Sequence, residues 1–260
     1  MNFELSEEQQ MLAETIKRFV ATHYNFDARA KIMASPAGHS EDVWAAIAEM
    51  GLLGLPFDEA HGGFGGSTVD VMLVMEAIGE GLLVEPYLAT VGLGGRFVSR
   101  AGTKAQRDRI LPALIQGKHT LAFAHTEPGA RYDLRQVGLL SRRSGEGFTL
   151  DGDKRMVLHG GGADTLVVSA RTSGGDTDAD GITLFLVSRT APGVSVKEYR
   201  TLDNLRTADV RFTNVGVGAD ALLGREGEGY PVIEEVVDYA TALSCAEAVG
   251  AIRYANEATL

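Results

Sequence analysis

The sequence predicts an α+β multidomain fold: a helical N-terminal domain, a middle domain that is an antiparallel β barrel or sandwich, and a long C-terminal helix. Three observations carry this expectation. Apolar residues recur at helical spacing as far as residue 117, at a spacing of two from 118 to 223, and at helical spacing again over 232–260. The expected domains are therefore 1–117, 118–223 and 224–260.

In the first stretch, Met11, Leu12, Ile16, Phe19 and Val20 share one helical face, and Ser6 and Gln9 have capping-box spacing ahead of it. Trp44, Ile47 and Ala48 repeat the pattern after Ser40. Val71, Met72, Met75 and Ile78 follow the cap candidates Ser67 and Thr68, and Ile110 and Leu111 follow Thr103. The methionines between 72 and 75 read as helix core rather than a ligand groove. In the second stretch, runs rich in Val, Leu, Thr and Phe predict strands at 120–124, 138–142, 148–150, 155–158, 166–170, 183–187, 194–199, 209–212 and 216–219. Asp151-Gly152 reads as a hairpin turn and Gly160-Gly161-Gly162 as a tight bend. Lacking the Lys-Ser/Thr pair and a following helix, the triple glycine is not a phosphate loop. In the third stretch, Pro231 suits a first helical turn, and 232–260 reads as one long helix. Its apolar positions Val236, Val237, Leu243, Val249 and Ile252 require further helices or another subunit to cover them, so the chain reads as a fragment.

Composition narrows the function classes. With 45% hydrophobic and 23% charged residues, 260 residues can bury a sizeable core. A net charge of −11 argues against a nucleic-acid surface, which needs clustered Lys and Arg. No apolar run reaches membrane-spanning length, and the N-terminus lacks a basic-then-apolar leader. Cys245 is the one cysteine, which excludes a disulfide framework; among small apolar neighbours it reads as a buried structural thiol, and the expected compartment is the cytoplasm. Asp176, Asp178, Asp180 and Gly181 imitate half a calcium loop, but Val187 stands where the bidentate Glu belongs, so this is a solvated hairpin tip and no metal is assigned. His125 and His159 lack spaced ligand partners, and no Ser-His-Asp arrangement is legible.

The most informative stretch is 121–134, where a short apolar strand runs into Thr126-Glu127-Pro128-Gly129. Pro128 fixes its own φ and holds Glu127 extended, while Gly129 can take a positive φ. Such a turn leaves Thr126 and nearby amides free to hold a cofactor edge. Some twenty residues on comes Asp151-Gly152-Asp153-Lys154-Arg155-Met156-Val157-Leu158-His159-Gly160. Together the two segments resemble the acyl-CoA dehydrogenase family, in which the first reads approximately Thr-Glu-Pro-x-Ala-Gly-Ser-Asp and the second Gly-x-Lys-x-x-Ile-Thr-Asn-Gly. The resemblance extends to the opening at Phe3-Glu4-Leu5-Ser6, to Glu49-Met50-Gly51-Leu52 with Gly62-Gly63-Phe64-Gly65-Gly66, and through 215–229 into the last helix. It covers essentially the whole chain, although the family is longer.

The resemblance implies an antiparallel β-barrel middle domain and the start of a C-terminal helical bundle, with FAD as cofactor and an acyl-CoA thioester as substrate. A carboxylate removes the α-proton while the β-hydrogen leaves as hydride to the flavin, giving a trans-2-enoyl-CoA. It also implies a homo- or hetero-tetramer and an electron-transfer flavoprotein or similar acceptor. Carried over by position, Phe123, His125 and Thr126 line the flavin on one side and Met156 and Leu158 on another. Arg131, Tyr132 and Asp133 approach the cofactor pyrophosphate or the CoA chain. Arg131-Tyr132 replaces the family's usual Gly-Ser, and Met156 and Leu158 replace its Trp and Thr, so the flavin hydrogen bond from that Thr is lost. The catalytic base is expected beyond Leu260; the alternative family location falls at Ala240, with Thr241 where an Arg is common, and neither can act as a base. Asp238 and Glu247 read as residues of a solvated helical face. Two other functions stay open: a non-catalytic structural subunit of a heteromeric dehydrogenase, and another flavoenzyme, an oxidase or monooxygenase, on the same scaffold.

Overall fold

The computed structural model describes residues 4–260; Phe3, part of the opening resemblance, lies outside the described residues. Six helices come first: α1 (Glu7–His23), α2 (Phe26–Ala34), α3 (Glu41–Glu49), α4 (Thr68–Gly81), α5 (Arg96–Ala101) and α6 (Lys104–Ile115). Their starts follow from local chemistry. Ser6 and Gln9 form a reciprocal capping box, as do Ser67 with Asp70 and Thr103 with Gln106. The first two caps are joined, because Gln9 Nε2 donates to Asp70 Oδ1 at 2.9 Å. Within α1, Ile16 and Val20 are buried as expected, but Met11 is 68% exposed. A helical stripe specifies a face, not how far along the helix neighbours reach.

Between α4 and α5 runs a π-helical segment, Leu88–Gly95, rich in glycine. It seats the sheet. Thr90 Oγ1 donates to Leu121 O at 3.2 Å and accepts from Leu121 N at 3.3 Å, and a Cβ on Gly94 would stand 2.2 Å from Leu121 Cβ. Only glycine allows so close an approach.

The middle domain is one mixed, mostly antiparallel sheet: β1 (Leu121–Ala124), β2 (Leu140–Ser144), β3 (Gly147–Leu158), β4 (Thr165–Arg171), β5 (Ile182–Ser188), β6 (Val194–Arg200), β7 (Arg206–Val217) and β8 (Leu222–Leu223). The order is β6-β7-β3-β2-β4-β5-β8, with β1 parallel to β4 off that path. The expected barrel is therefore corrected to an open sheet: β6 and β8 end it and do not pair with each other. Its halves meet only where Leu140 pairs with Arg171, and they enclose a core that includes Phe148, Leu150, Leu166, Phe185 and Phe212. Val167, Leu184 and Leu186 alternate to the other face and join the helical core. This two-sided burial gives β4 and β5 nearly continuous apolar runs.

Two pairs of expected strands are single strands here. The segments 148–150 and 155–158 belong to β3, and 209–212 with 216–217 belong to β7. Asp151-Gly152 is not a turn but a register shift inside β3, with Gly152 at φ 147° and its missing Cβ leaving room for Leu139. The hairpin turn falls instead at Gly145-Glu146, between the paired Ser144 and Gly147. The aspartate cluster is a loop, as expected, held by the Arg171 guanidinium, which donates to the carbonyls of Asp176, Asp178 and Asp180.

The chain continues into α7 (Tyr230–Thr259), with Pro231 in its first turn. It crosses α4 at touching distance: a Cβ on Gly250 would lie 1.9 Å from Glu76 O, and one on Gly79 1.9 Å from Glu247 O. Ile233, Val236, Leu243 and Ala246 are buried, whereas Val249 and Ile252 are 46% and 59% exposed. Cys245 is exposed, correcting the expected buried thiol, because the helix buries 243, 246 and 250 and turns 245 outward. Among the described residues no helix is long and apolar enough to cross a membrane.

Candidate functional site

The end of β1 and the far half of β3 come together at one ledge. The Arg155 N–H donates to Thr126 O at 2.7 Å, which sets the Thr-Glu-Pro-Gly turn beside Met156. Phe123 stacks on His125 with centroids 5.1 Å apart and an interplanar angle of 12°, and Phe97 of α5 packs on Phe123 from the helical side at 4.4 Å. Thr126 is half-buried, and among the described residues its hydroxyl and amide meet no hydrogen-bond partner. Five sequence-derived positions, Phe123, His125, Thr126, Met156 and Leu158, thus belong to one neighbourhood. Met156 is 59% exposed at φ 51°.

Beneath the ledge lies a polar lock. Lys154 is fully buried, and its ammonium donates to His125 O at 3.0 Å, to Glu127 Oε1 at 2.6 Å and to Ser169 Oγ at 2.9 Å. Glu127 also accepts from the N–H groups of Gly138 and Leu139, at 2.8 and 2.9 Å. The turn, β3, β4 and the loop before β2 are therefore fastened to one ion pair. Burial, only partly opposed by Glu127, lowers the Lys154 pKa to about 8. Burial, with Lys154 nearby, lowers that of His125 to about 3, so this ring is neutral, with Nδ1 2.9 Å from Ser169 Oγ. His125 and His159 are both buried at this level of the fold.

The remaining positions stand apart from the lock. Arg131 is exposed at φ 50°, and among the described residues no hydrogen bond or ion pair engages its guanidinium. Tyr132 is 98% exposed. Asp133 is held by Arg135, which donates to both its carboxylate oxygens at 3.0 and 2.9 Å. On α7, Ala240 is buried and Asp238 exposed, but Glu247 is half-buried with its carboxyl raised mainly by burial, so it is not a residue of a solvated face. It faces a cavity that Leu158 and His159 also line.

Sequence reasoning missed the roles of Lys154, Glu127 and Ser169. Glu127 and Lys154 are the Glu and Lys of the two quoted motifs, but Lys154 stands between Asp153 and Arg155, so nothing in the local pattern marks it as the buried member of that charged run. Nothing local to Ser169 marks it.

A helical domain, an open sheet whose strand-end turn leaves donors unpaired beside an aromatic plane, and a long helix define the class: a three-part protein of helical domain, mostly antiparallel sheet and C-terminal helix. The chain belongs to the acyl-CoA dehydrogenase family. Residues 6–118 match the family model "Acyl-CoA dehydrogenase, N-terminal domain" and residues 122–215 match "Acyl-CoA dehydrogenase, middle domain". The chain is similar to the mitochondrial isovaleryl-CoA dehydrogenase of Pongo abelii, 31% identical over 242 residues, 90% of this chain and 57% of that one. The structure of butyryl-CoA dehydrogenase from Megasphaera elsdenii superposes with a TM-score of 0.87 at 25% identity, covering 96% of this chain and 67% of that one. The structure described as "PigA with FAD and proline" gives 0.90 at 26% identity, covering 100% and 69%. The chain thus spans between 57% and 69% of the length of these three relatives.

Proposed function

We propose that this chain holds FAD at the ledge and contributes to the α,β-dehydrogenation of an acyl-CoA thioester to a trans-2-enoyl-CoA. The observation that carries the reading is the unpartnered Thr126 hydroxyl and amide beside the Phe123–His125 plane, fixed from below by Lys154 and Glu127. These are the donors and the flat apolar wall that a flavin edge requires. FAD, when bound, supplies the hydride acceptor. Thr126 would hold its polar edge, Phe123 and His125 would line its ring, and Met156 and Leu158 would help to exclude water from it. The free guanidinium of Arg131 suits a phosphate of FAD or CoA, since its planar fork matches such oxygens. Tyr132 and Asp133 border the same approach. Ala240, at the family's alternative location for the base, carries no titratable group and cannot fill that role.

One observation favours a second reading, a structural subunit serving a partner's active site. Leu158 offers no donor where the family has Thr, which removes a contact worth about 1 kcal/mol. The visible spectrum of the purified protein, alone and with any co-purifying subunit, separates the two. Flavin absorbance carried by this chain, bleached by acyl-CoA in the complete assembly, supports the first. Flavin carried by the partner alone refutes it.

A further inference from the structure

A partly open cavity lies between α4, α7, the segment leading to the π-helix and the end of β3. It has a volume of about 60 Å³, and Met75, Ile78, Leu83 and Leu158 give it a mostly apolar wall. Three of its lining residues are polar and incompletely satisfied. Seven buried side-chain polar atoms lack a hydrogen-bond partner among the described residues, and three of them, Glu85 Oε2, His159 Nε2 and Arg206 Nε, belong to residues of this one cavity. Glu85 and His159 are each only 6% exposed.

The other atoms of these groups are engaged, which fixes their positions. Glu85 Oε1 accepts from Ser40 N at 3.2 Å, and the Tyr24 hydroxyl approaches the same carboxyl, whose pKa is raised chiefly by burial. Arg206 donates through Nη1 to Glu198 at 3.1 Å and through Nη2 to the carbonyls of Ser35 and Pro36 at 2.8 and 3.0 Å. His159 sits at φ 57° with its ring against that of His39, centroids 5.4 Å apart. A buried polar atom without a partner is costly, so convergence of three on one small apolar space calls for an occupant that both donates and accepts.

We propose that this cavity is a specificity subsite for the far end of an acyl chain carrying an uncharged hydrogen-bonding group, a hydroxyl or carboxamide, recognised by Glu85, His159 and Arg206. The proposal rests on the acyl-CoA reading above, and β3 joins the two, since it carries Met156 beside the ledge and Leu158 in the cavity wall. Volume limits the group: an apolar cavity of about 150 Å³ holds benzene, so this one takes a polar tip with one or two carbons. Charge limits it as well. Glu85 and Glu247 both line the cavity and disfavour a carboxylate tip, the Arg206 guanidinium is already paired with Glu198 at 3.1 Å, and burial keeps His159 neutral, with a pKa lowered to about 4.

The test uses propanamide, 1-propanol and propionate as probes of the purified protein in its native assembly, with nitrogen-15 NMR of the histidine rings reading His159 Nε2 directly. Propanamide and 1-propanol should shift that resonance saturably, and propionate at equal concentration should not. Glu85→Leu should weaken propanamide binding about tenfold, while the isosteric Glu85→Gln stays within about threefold. A His159 signal indifferent to all three probes means that the cavity holds only water and overturns the proposal, as does propionate binding as well as propanamide. In the complete enzyme, an ω-hydroxyacyl-CoA should show a lower KM than the unsubstituted acyl-CoA of equal length, and a reversed order also overturns it. Flavin binding without any probe effect removes the subsite and leaves the dehydrogenase reading. A probe effect without flavin binding does the opposite.

Discussion

Replacing Lys154 by Met keeps the length and removes the charge, and it tests whether the polar lock holds the ledge. The ammonium makes three hydrogen bonds, to His125 O, Glu127 and Ser169. Its loss leaves the Glu127 carboxylate with the two amides of Gly138 and Leu139. Breaking a buried pair from one side costs about 3–5 kcal/mol. Here the Glu127 side chain keeps 12% exposure, so water can reach it and about 2–3 kcal/mol is expected. Equilibrium urea unfolding followed by circular dichroism measures this. Glu127→Gln in the Lys154→Met background should return at least half the loss, since it removes the stranded charge. The pH dependence has a definite sign. With its folded pKa lowered to about 8 from 10.5, the charged lysine is disfavoured in the native state, so its stability penalty is full below pH 8 and fades as pH rises to 10.5. The wild-type advantage over Lys154→Met should therefore grow across that window. A single variant within about 0.5 kcal/mol of wild type, or a double variant no better than the single, refutes the reasoning.

His125 and His159 are buried neutral, with pKa values lowered by burial to about 3 and about 4, so each is protonated on unfolding below 6.5. Stability should fall as pH drops from 6.5 towards 4, each ring contributing up to about 1.4 kcal/mol per pH unit, and His125→Gln should flatten that limb in pH-dependent unfolding. Arg131→Ala should weaken FAD or acyl-CoA binding about ten- to a hundredfold in calorimetric titration, more at low salt than at high. Arg131→Gly should bind equally weakly yet unfold at higher urea by about 1 kcal/mol, because glycine accepts φ 50° without strain. Unchanged dissociation constants for both ligands reduce Arg131 to a turn residue.

Much of the helical domain was legible because caps are local chemistry: Ser6, Ser40, Ser67 and Thr103 each start the helix they announce. Strand positions were legible from alternation, but their lengths were not. The dipeptide Asp151-Gly152 suits a hairpin and a bulge equally, and only the distant approach of Leu139 selects the bulge. Whether a sheet closes depends on pairing between its edge strands, and β6 carries no local mark of being an edge. Helical periodicity likewise gave a face without saying what covers it, which is why Met11, Cys245 and Glu247 lie in environments opposite to those expected. At the ledge the motif positions came together, whereas Lys154 and Ser169 became visible only when β3 and β4 were placed beside each other.

Arg131 and Met156 share a property that intramolecular packing does not explain. Both hold left-handed backbone conformations, at φ 50° and 51°, and both are exposed, Met156 at 59%. A non-glycine residue there costs about 1–2 kcal/mol, and neither side chain recovers that by burial within the described chain. Met156 follows Arg155, whose N–H holds Thr126 O, so this exposed apolar residue stands next to the turn that carries Thr126; Arg131 is an exposed cation just after the same turn. An apolar cover and a cation flanking a row of amides are complementary to a flat ring system joined to phosphates. Beside them Tyr132, 98% exposed, has no such backbone constraint to explain its position. The polar lock beneath is rigid and internally satisfied, so affinity for a ligand must come from this outer rim. Variants of the rim should therefore change binding with little loss of stability, and variants of the lock should change both.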